Sequence, residues 1–255
     1  QPMSGHSKWA NIKHKKEASD KKKGKIFSKL AKEIMVCVKQ SGKDPNSNPR
    51  LRMALIEARS ANMPRENIDR AIKKGAGELG NVVYEEIVYE GYGPQGTAII
   101  VECLTDNKNR TIGDVRLTFD RNNGNLAASG AVGWMFQRKA HFVITDEANA
   151  NEEKLMDIVL DAGAEDIEVE DGMAEIWAAP EAFTDIAKAL EDAGIETTES
   201  GIVRRPDNTV GVNDLSTAQQ ILRLVDKLDD LEDVQAVHHN ANIASEVLDE
   251  IDAQE

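Results

Sequence analysis

The chain has 255 residues, 40% of them apolar and 30% charged, with a formal net charge of −14. That length and composition describe an ordinary soluble protein of two or three domains. No stretch approaches the ~20 apolar residues of a membrane span, so a membrane protein is excluded as an expectation. The charge is unevenly placed: residues 1–80 hold 19 Lys/Arg against 8 Asp/Glu, a net of +11, and residues 81–255 hold 12 against 37, a net of −25. A local basic patch acts through its own field within about a Debye length, ~8–10 Å, so an acidic total does not exclude polyanion binding.

Gln1 and Pro2, ahead of Met3, are set aside. Residues 3–25 are polar and lysine-rich, and they read as a mobile arm that orders on binding. No apolar h-region follows this basic start, and Glu17 and Asp20 do not suit a mitochondrial presequence, so cytoplasmic localisation is expected. Phe27, Leu30, Ile34 and Val38 recur at threes and fours and predict a helix over about 26–40. Ser41–Asn48 is a loop. Pro49 suits a first helical turn, continued by Leu51, Ala54, Leu55 and Ala58. A third helix with Ile68, Ala71 and Ile72 ends at Lys73-Lys74-Gly75, with Gly75 expected at the C′ position. Residues 26–75 therefore predict a three-helix bundle.

From Val82 the period becomes two. Tyr84–Glu90 and Thr97–Thr105 predict a hairpin around Gly91–Gly96. A helix near 110–122 and a strand from Asn125 to about Phe136 follow. Residues 140–203 then give a β-α-β-β-α-β series: strand 140–145, helix 151–162, strands 166–170 and 173–178 joined by Asp171-Gly172, helix 180–193, and strand 195–203. That order is the split βαβ, or ferredoxin-like, pattern. Helix 214–230 and strand Val234–His238 would complete the sheet begun at 84–105.

The fold class expected is therefore multi-domain, α plus α+β. A basic arm and helical bundle (3–80) precede a discontinuous α+β domain (81–136 plus 206–242). A ferredoxin-like α+β domain (137–205) is inserted in it, and an acidic tail (243–255) is expected to fray.

Chemistry-bearing patterns are few. Gly91-x-Gly93-x-x-Gly96 matches a dinucleotide fingerprint, but a strand follows it instead of a helix, and Pro94 removes an amide donor, so a hairpin loop is the better reading. No P-loop pattern occurs. Cys37 and Cys103 are read as buried small hydrophobes, consistent with a reducing compartment. His238 and His239 would point to opposite faces of a strand and cannot easily share a metal. No nucleophile–His–acid set stands out, so no catalytic residue, no metal, no cofactor and no small-molecule substrate is expected, and the protein is read as a non-enzyme.

The basic segment is the candidate site. Lys8, Lys13, Lys15, Lys16, Lys21, Lys22, Lys23 and Lys25 crowd the arm, and Arg50, Arg52, Arg65, Arg70, Lys73 and Lys74 add charge on the bundle. Such side chains contact phosphates without regard to sequence and release counterions. Trp9 could stack on bases or anchor the arm to the bundle. The acidic residues of 146–199 read as solubilising surface, or as a repellent for nucleic acid or a dock for a basic protein. Deleting 140–204 is therefore expected to leave nucleic-acid affinity intact or raised.

Several strings resemble the YebC/PmpR family: Gly5-His-Ser-Lys-Trp-Ala-Asn-Ile-Lys-His-Lys-Lys16, Gly24-Lys-Ile-Phe27, Asp44-Pro with Asn48-Pro-Arg-Leu-Arg52, and Ile72-Lys-Lys-Gly-Ala-Gly77. Tyr89-Glu-Gly-Tyr-Gly-Pro94, Glu102-Cys-Leu-Thr-Asp-Asn107, Asn109-Arg-Thr111, Asp233-Val-Gln235 and His239-Asn240 extend the likeness from Met3 to about Ile243. Gln95, where a Gly is common, and the segment Ala127–Gly130 depart from the pattern. The resemblance implies a three-domain, non-enzymatic cytoplasmic regulator that binds DNA and acts in transcription. Because the family also contains a mitochondrial translational activator and members tied to relief of ribosome stalling, a ribosome- or RNA-bound translation factor is the alternative.

Overall fold

The computed structural model describes residues 20–254, with side chains from Lys23 onward. These residues form two compact units, one of 20–83 with 138–204 and the other of 84–137 with 205–254. Among the described residues there are eight α-helices and three small sheets.

The first unit opens with α1 (Asp20–Ser41), α2 (Pro49–Ser60) and α3 (Arg65–Gly75). Ile34, Cys37 and Val38 from α1, Leu51, Ala54, Leu55 and Ala58 from α2, and Ala71 from α3 share one buried core. The spacing of threes and fours thus places one stripe of each helix inward, as expected. Asn48 joins α1 to α2. Its Oδ1 accepts from Leu51 N at 3.1 Å, and its Nδ2 donates to the carbonyls of Cys37 and Gly42 at 2.8 Å each.

The end of α3 differs from expectation. Gly75 lies inside the helix, where an added Cβ would sit 2.7 Å from the Met35 carbonyl oxygen, so close packing of α3 on α1 requires it. The left-handed C′ glycine is Gly77, at φ +80°. Its amide bonds the Lys74 carbonyl and the Glu78 amide bonds the Lys73 carbonyl, which is a Schellman ending.

The same unit contains the sheet β5-β6-β4-β7, with β4 Phe136–Ile144, β5 Ala164–Glu170, β6 Met173–Ala178 and β7 Glu199–Pro206. α5 (Glu152–Val159) and α6 (Phe183–Asp192) are its crossovers. This is the strand order of the split βαβ pattern. Asp171 and Gly172 take φ +50° and +75°, as a two-residue I′ hairpin demands. Phe142, Ile144, Ile167, Ala174 and Ile176 face a core that also contains Phe183, Ile186 and Leu190. The last strand starts later than expected, because Ile195, 5% exposed, caps this core after the left-handed Gly194.

The second unit is built on the sheet β3-β1-β2-β9, with β1 Glu85–Tyr92, β2 Ala98–Thr105, β3 Asn125–Leu126 and β9 Val234–His239. β9 pairs antiparallel with β2, so the late strand does complete the early hairpin. α4 (Lys108–Arg121) and α7 (Leu215–Asp229) cover one face through Val115, Phe119, Leu224 and Leu228. β8 (Val210–Val212) and β10 (Ala241–Ile243) make a parallel pair beside it.

Two expectations fail here. No long strand runs from Asn125 to Phe136: after two residues of β3 the chain makes a loop and a 3-10 turn at Gly133–Met135. The amides of Gly130, Val132 and Gly133 go to a side chain, Glu90, instead of to a ladder. The acidic tail does not fray either: Ser245–Asp252 is a helix, α8, with Val247 and Leu248 buried against the β8/β10/α7 cluster. Its apolar residues at 247, 248 and 251 give it an inward stripe despite four acids.

Candidate nucleic-acid interface

Lys8, Trp9, Lys13, Lys15 and Lys16 lie outside the described residues. Lys21 and Lys22 fall on the first turns of α1, and Lys23 and Lys25 are exposed a turn later. The arm is therefore helical from Asp20, six residues earlier than the apolar spacing starts.

On α3, Ala71 is buried and Ile68, Ile72 and Gly75 face α1, which turns Arg70, Lys73 and Lys74 outward together, all exposed. They are neighbours at i, i+3 and i+4. Because they occupy the C-terminal turns, they also offset the negative end of the helix dipole. Arg65 stands 94% exposed at the other end of the helix, 3.9 Å from Asp69. Two cations that the charge count did not single out are committed locally. Lys39 donates to Asn81 Oδ1 and the Val82 carbonyl at 3.1 and 3.0 Å, and Lys43 pairs with Glu78 at 3.2 Å.

The α2 arginines behave differently. Arg50 donates from Nε and Nη2 to the two Glu33 carboxylate oxygens at 2.8 and 3.3 Å, and from Nη1 to Gln40 Oε1 at 3.0 Å. It clamps α2 to α1. Arg52 is partly buried, and its Nε has no hydrogen-bond partner among the described residues. Of the bundle residues, α3 thus presents a cationic face, whereas Arg50 serves the fold.

The other sequence patterns resolve as structure. Gly91-x-Gly93-x-x-Gly96 runs from the end of β1 through the hairpin loop: Gly91 is still paired in the sheet, where a Cβ would meet Phe119 Cζ at 2.6 Å, and a Cβ on Gly93, in the loop, would meet Thr97 Oγ1 at 2.7 Å. Gly96 sits at φ +70°. His238 Nε2 lies 3.4 Å from Glu102 Oε2, whereas His239 Nδ1 accepts from the Ala241 amide at 3.2 Å. His141 Nε2 is 2.5 Å from Glu175 Oε2, buried beneath the stacked ring of Trp177. Arg110 and Thr111, on the first turn of α4, both bind the buried Asp233 carboxylate, at 2.9 and 2.8 Å, and so tie α4 to the turn before β9. Among the described residues, no three His, Cys, Asp or Glu side chains converge as metal ligands would. No described helix is long and apolar enough to cross a membrane.

Sequence reasoning missed one feature. Trp134 is 72% exposed, on the loop that Glu90 holds.

Eight described helices, one of them with an outward cationic face, and three small sheets define a mixed α/β protein. Comparison with known proteins makes this specific. Residues 7–78 match the TACO1/YebC protein N-terminal domain, and residues 84–241 match the TACO1/YebC second and third domain. The chain belongs to the TACO1/YebC family. A relative from Halothermothrix orenii named "Probable transcriptional regulatory protein" is 48% identical over 98% of this chain and 99% of its own length. One from Geobacter sulfurreducens, also named a probable transcriptional regulatory protein, is 49% identical over 98% of this chain and 100% of its own. The crystal structure of a conserved hypothetical protein from Aquifex aeolicus superposes with a TM-score of 0.83 at 44% identity, covering 94% of this chain and 98% of that one.

Proposed function

We propose that this chain is a non-enzymatic, cytoplasmic regulator of transcription that binds DNA through its basic N-terminal arm and bundle. The observation that carries the reading is the outward cluster of Arg70, Lys73 and Lys74 on α3, on the same segment as the exposed Lys23 and Lys25. Such cations take up phosphate charge by counterion release and do not read bases. The names of the relatives support the regulatory role. In this reading the chain has three domains, with 137–205 inserted between 81–136 and 206–242, and the acidic surfaces are left for repulsion of nucleic acid or for a basic protein.

Neutralising Arg70, Lys73 and Lys74 to Gln is expected to flatten the dependence of log affinity on log salt. The slope should fall by about 0.7–0.9 for each phosphate that is no longer neutralised. An unchanged slope would remove α3 from the interface, and the same measurement on Lys15, Lys16, Lys22 and Lys23 tests the arm. Crosslinking in cells decides the polymer: recovery of ribosomal RNA with negligible DNA would replace transcription by the translational reading.

A further inference from the structure

Beside the cationic face of α3 stands an acid that the fold holds in place. The chain leaves α3 through the left-handed Gly77, and the Glu78 amide donates to the Lys73 carbonyl at 3.0 Å. The residues that follow are strapped back onto α1, where Lys39 donates to Asn81 Oδ1 and the Val82 carbonyl at 3.1 and 3.0 Å. Anchored on both sides, Glu78 turns its carboxylate to Lys43, whose Nζ donates to Oε1 at 3.2 Å. Lys43, Asp69, Ile72, Lys73 and Glu78 together line a recess of about 220 Å³. At ~30 Å³ for each water of the liquid, that is space for about seven waters, enough for a phosphate group to enter.

Two ammonium groups thus line one recess, and the anion paired with one of them belongs to the chain itself. The second carboxylate there, Asp69, lies 3.9 Å from Arg65 on its own helix, so Glu78 is the acid that answers Lys43. Their pairing is shallow: the side chains are 65% and 46% exposed, and an ion pair in that setting contributes little against water. Lys73 also belongs to the outward set with Arg70 and Lys74. A polyanion held on that set brings neighbouring phosphates up to the recess. A free phosphate ion must compete with a tethered carboxylate at its high effective concentration, whereas a phosphate on a strand already held next door is tethered too.

We infer that this recess is a backbone-phosphate position of the nucleic-acid interface, filled in the free chain by Glu78, which the phosphate displaces from Lys43. The inference rests on the nucleic-acid reading above and adds an internal competitor to it. Lys43 exchanges one charge-assisted hydrogen bond for another, and Lys73 shares the incoming phosphate. The contact fixes the position of the strand without reading its bases.

The test measures binding of a mixed-sequence DNA duplex to the full chain, to Glu78→Gln, to Lys43→Gln and to the double variant. Glu78→Gln keeps the shape of the side chain and removes its charge. It is expected to tighten binding about two- to fivefold, the change due when an exposed ion pair no longer has to be broken. Lys43→Gln should flatten the salt slope by about 0.7–0.9, one phosphate contact. In the Lys43→Gln background the gain from Glu78→Gln should shrink, because no pair is left to break. A gain as large or larger there would make Glu78 a merely repelling charge and overturn the inference. An unchanged affinity in Glu78→Gln, or an unchanged slope in Lys43→Gln, would overturn it too, while the slope carried by Arg70, Lys73 and Lys74 still stands for the interface. The Glu78 amide resonance should move with the duplex and not with inorganic phosphate at matched ionic strength. Movement with inorganic phosphate would make the recess a site for free anions and overturn the backbone assignment. A wild-type chain that does not bind the duplex would remove the DNA reading and this inference together.

Discussion

Glu57 is held between α2 and β7, where a Cβ on Gly201 would lie 3.1 Å from its Oε1 and the Ser60 and Ser200 hydroxyls lie 3.5 Å apart. Loss of water pushes its carboxyl up to about 8, and the negative charge of Glu33 adds to the shift. A folded-state value above the unfolded one means the folded chain keeps a proton that the unfolded chain releases. The stabilisation is therefore complete below the ordinary carboxylate range and is lost as pH rises towards 8. Glu57→Gln, which is neutral throughout, is expected to gain stability over wild type between pH 5 and pH 9, read as a widening difference in urea midpoint. Parallel pH profiles would show that Glu57 ionises freely in the folded chain. Nothing in the sequence marks this residue, since a Glu on an exposed-looking helix position is partly covered only by an element some 140 residues away. The α2 arginines were hidden for the same reason. Arg50 counts as surface charge until Glu33, one helix back, is brought beside it.

At the level of elements, periodicity located the helices of the bundle and most strands, because burial stripes are local properties of the chain. What it could not locate were ends set by tertiary packing. The C′ glycine of α3 is Gly77 and not Gly75 because close approach of α3 to Met35 fixes Gly75 inside the helix. The segment 127–135 looked like a strand because its capture by Glu90 depends on a residue some 40 positions earlier. Asn48 was legible as part of a family string, but its work shows only in three dimensions: it caps α2 and bonds two carbonyls at the end of α1, while only 1% exposed. Asn48→Ala should cost about 2–4 kcal/mol, combining the missing cap with buried carbonyls left unpaired. Asn48→Ser, whose neutral hydroxyl can still cap α2 but cannot donate to both carbonyls, should fall between Ala and wild type in thermal melting. Equal destabilisation by Ala and Ser would assign the whole effect to the donated bonds.

On the scale of the whole chain, charge and period separate a basic helical segment from acidic α+β segments, but they do not show which segments share a core. Met53 and Ile56 of α2 pack against the cluster formed by β4, β5, β6, α5 and α6. The bundle and the split βαβ segment thus make one compact unit, although some 55 residues of chain intervene between them. Deleting 140–204 to test the acidic surface would consequently uncover Met53, Ile56 and Glu57, and a change in nucleic-acid affinity would then report damage to the bundle as much as loss of repulsion. Charge-neutralising substitutions at the exposed Asp157 and Asp161 leave the core and the Lys139–Glu165 pair in place and test repulsion. The shared core has its own consequence. Ile56→Ala removes apolar packing at the junction, at a cost of about 1–2 kcal/mol for a partly buried side chain. If the unit opens as one, native-state hydrogen exchange should speed up together at bundle amides such as Leu55 and at sheet amides such as Ile176. Faster exchange confined to the bundle would mean that the two segments open independently, with α2 only resting on a separately stable sheet.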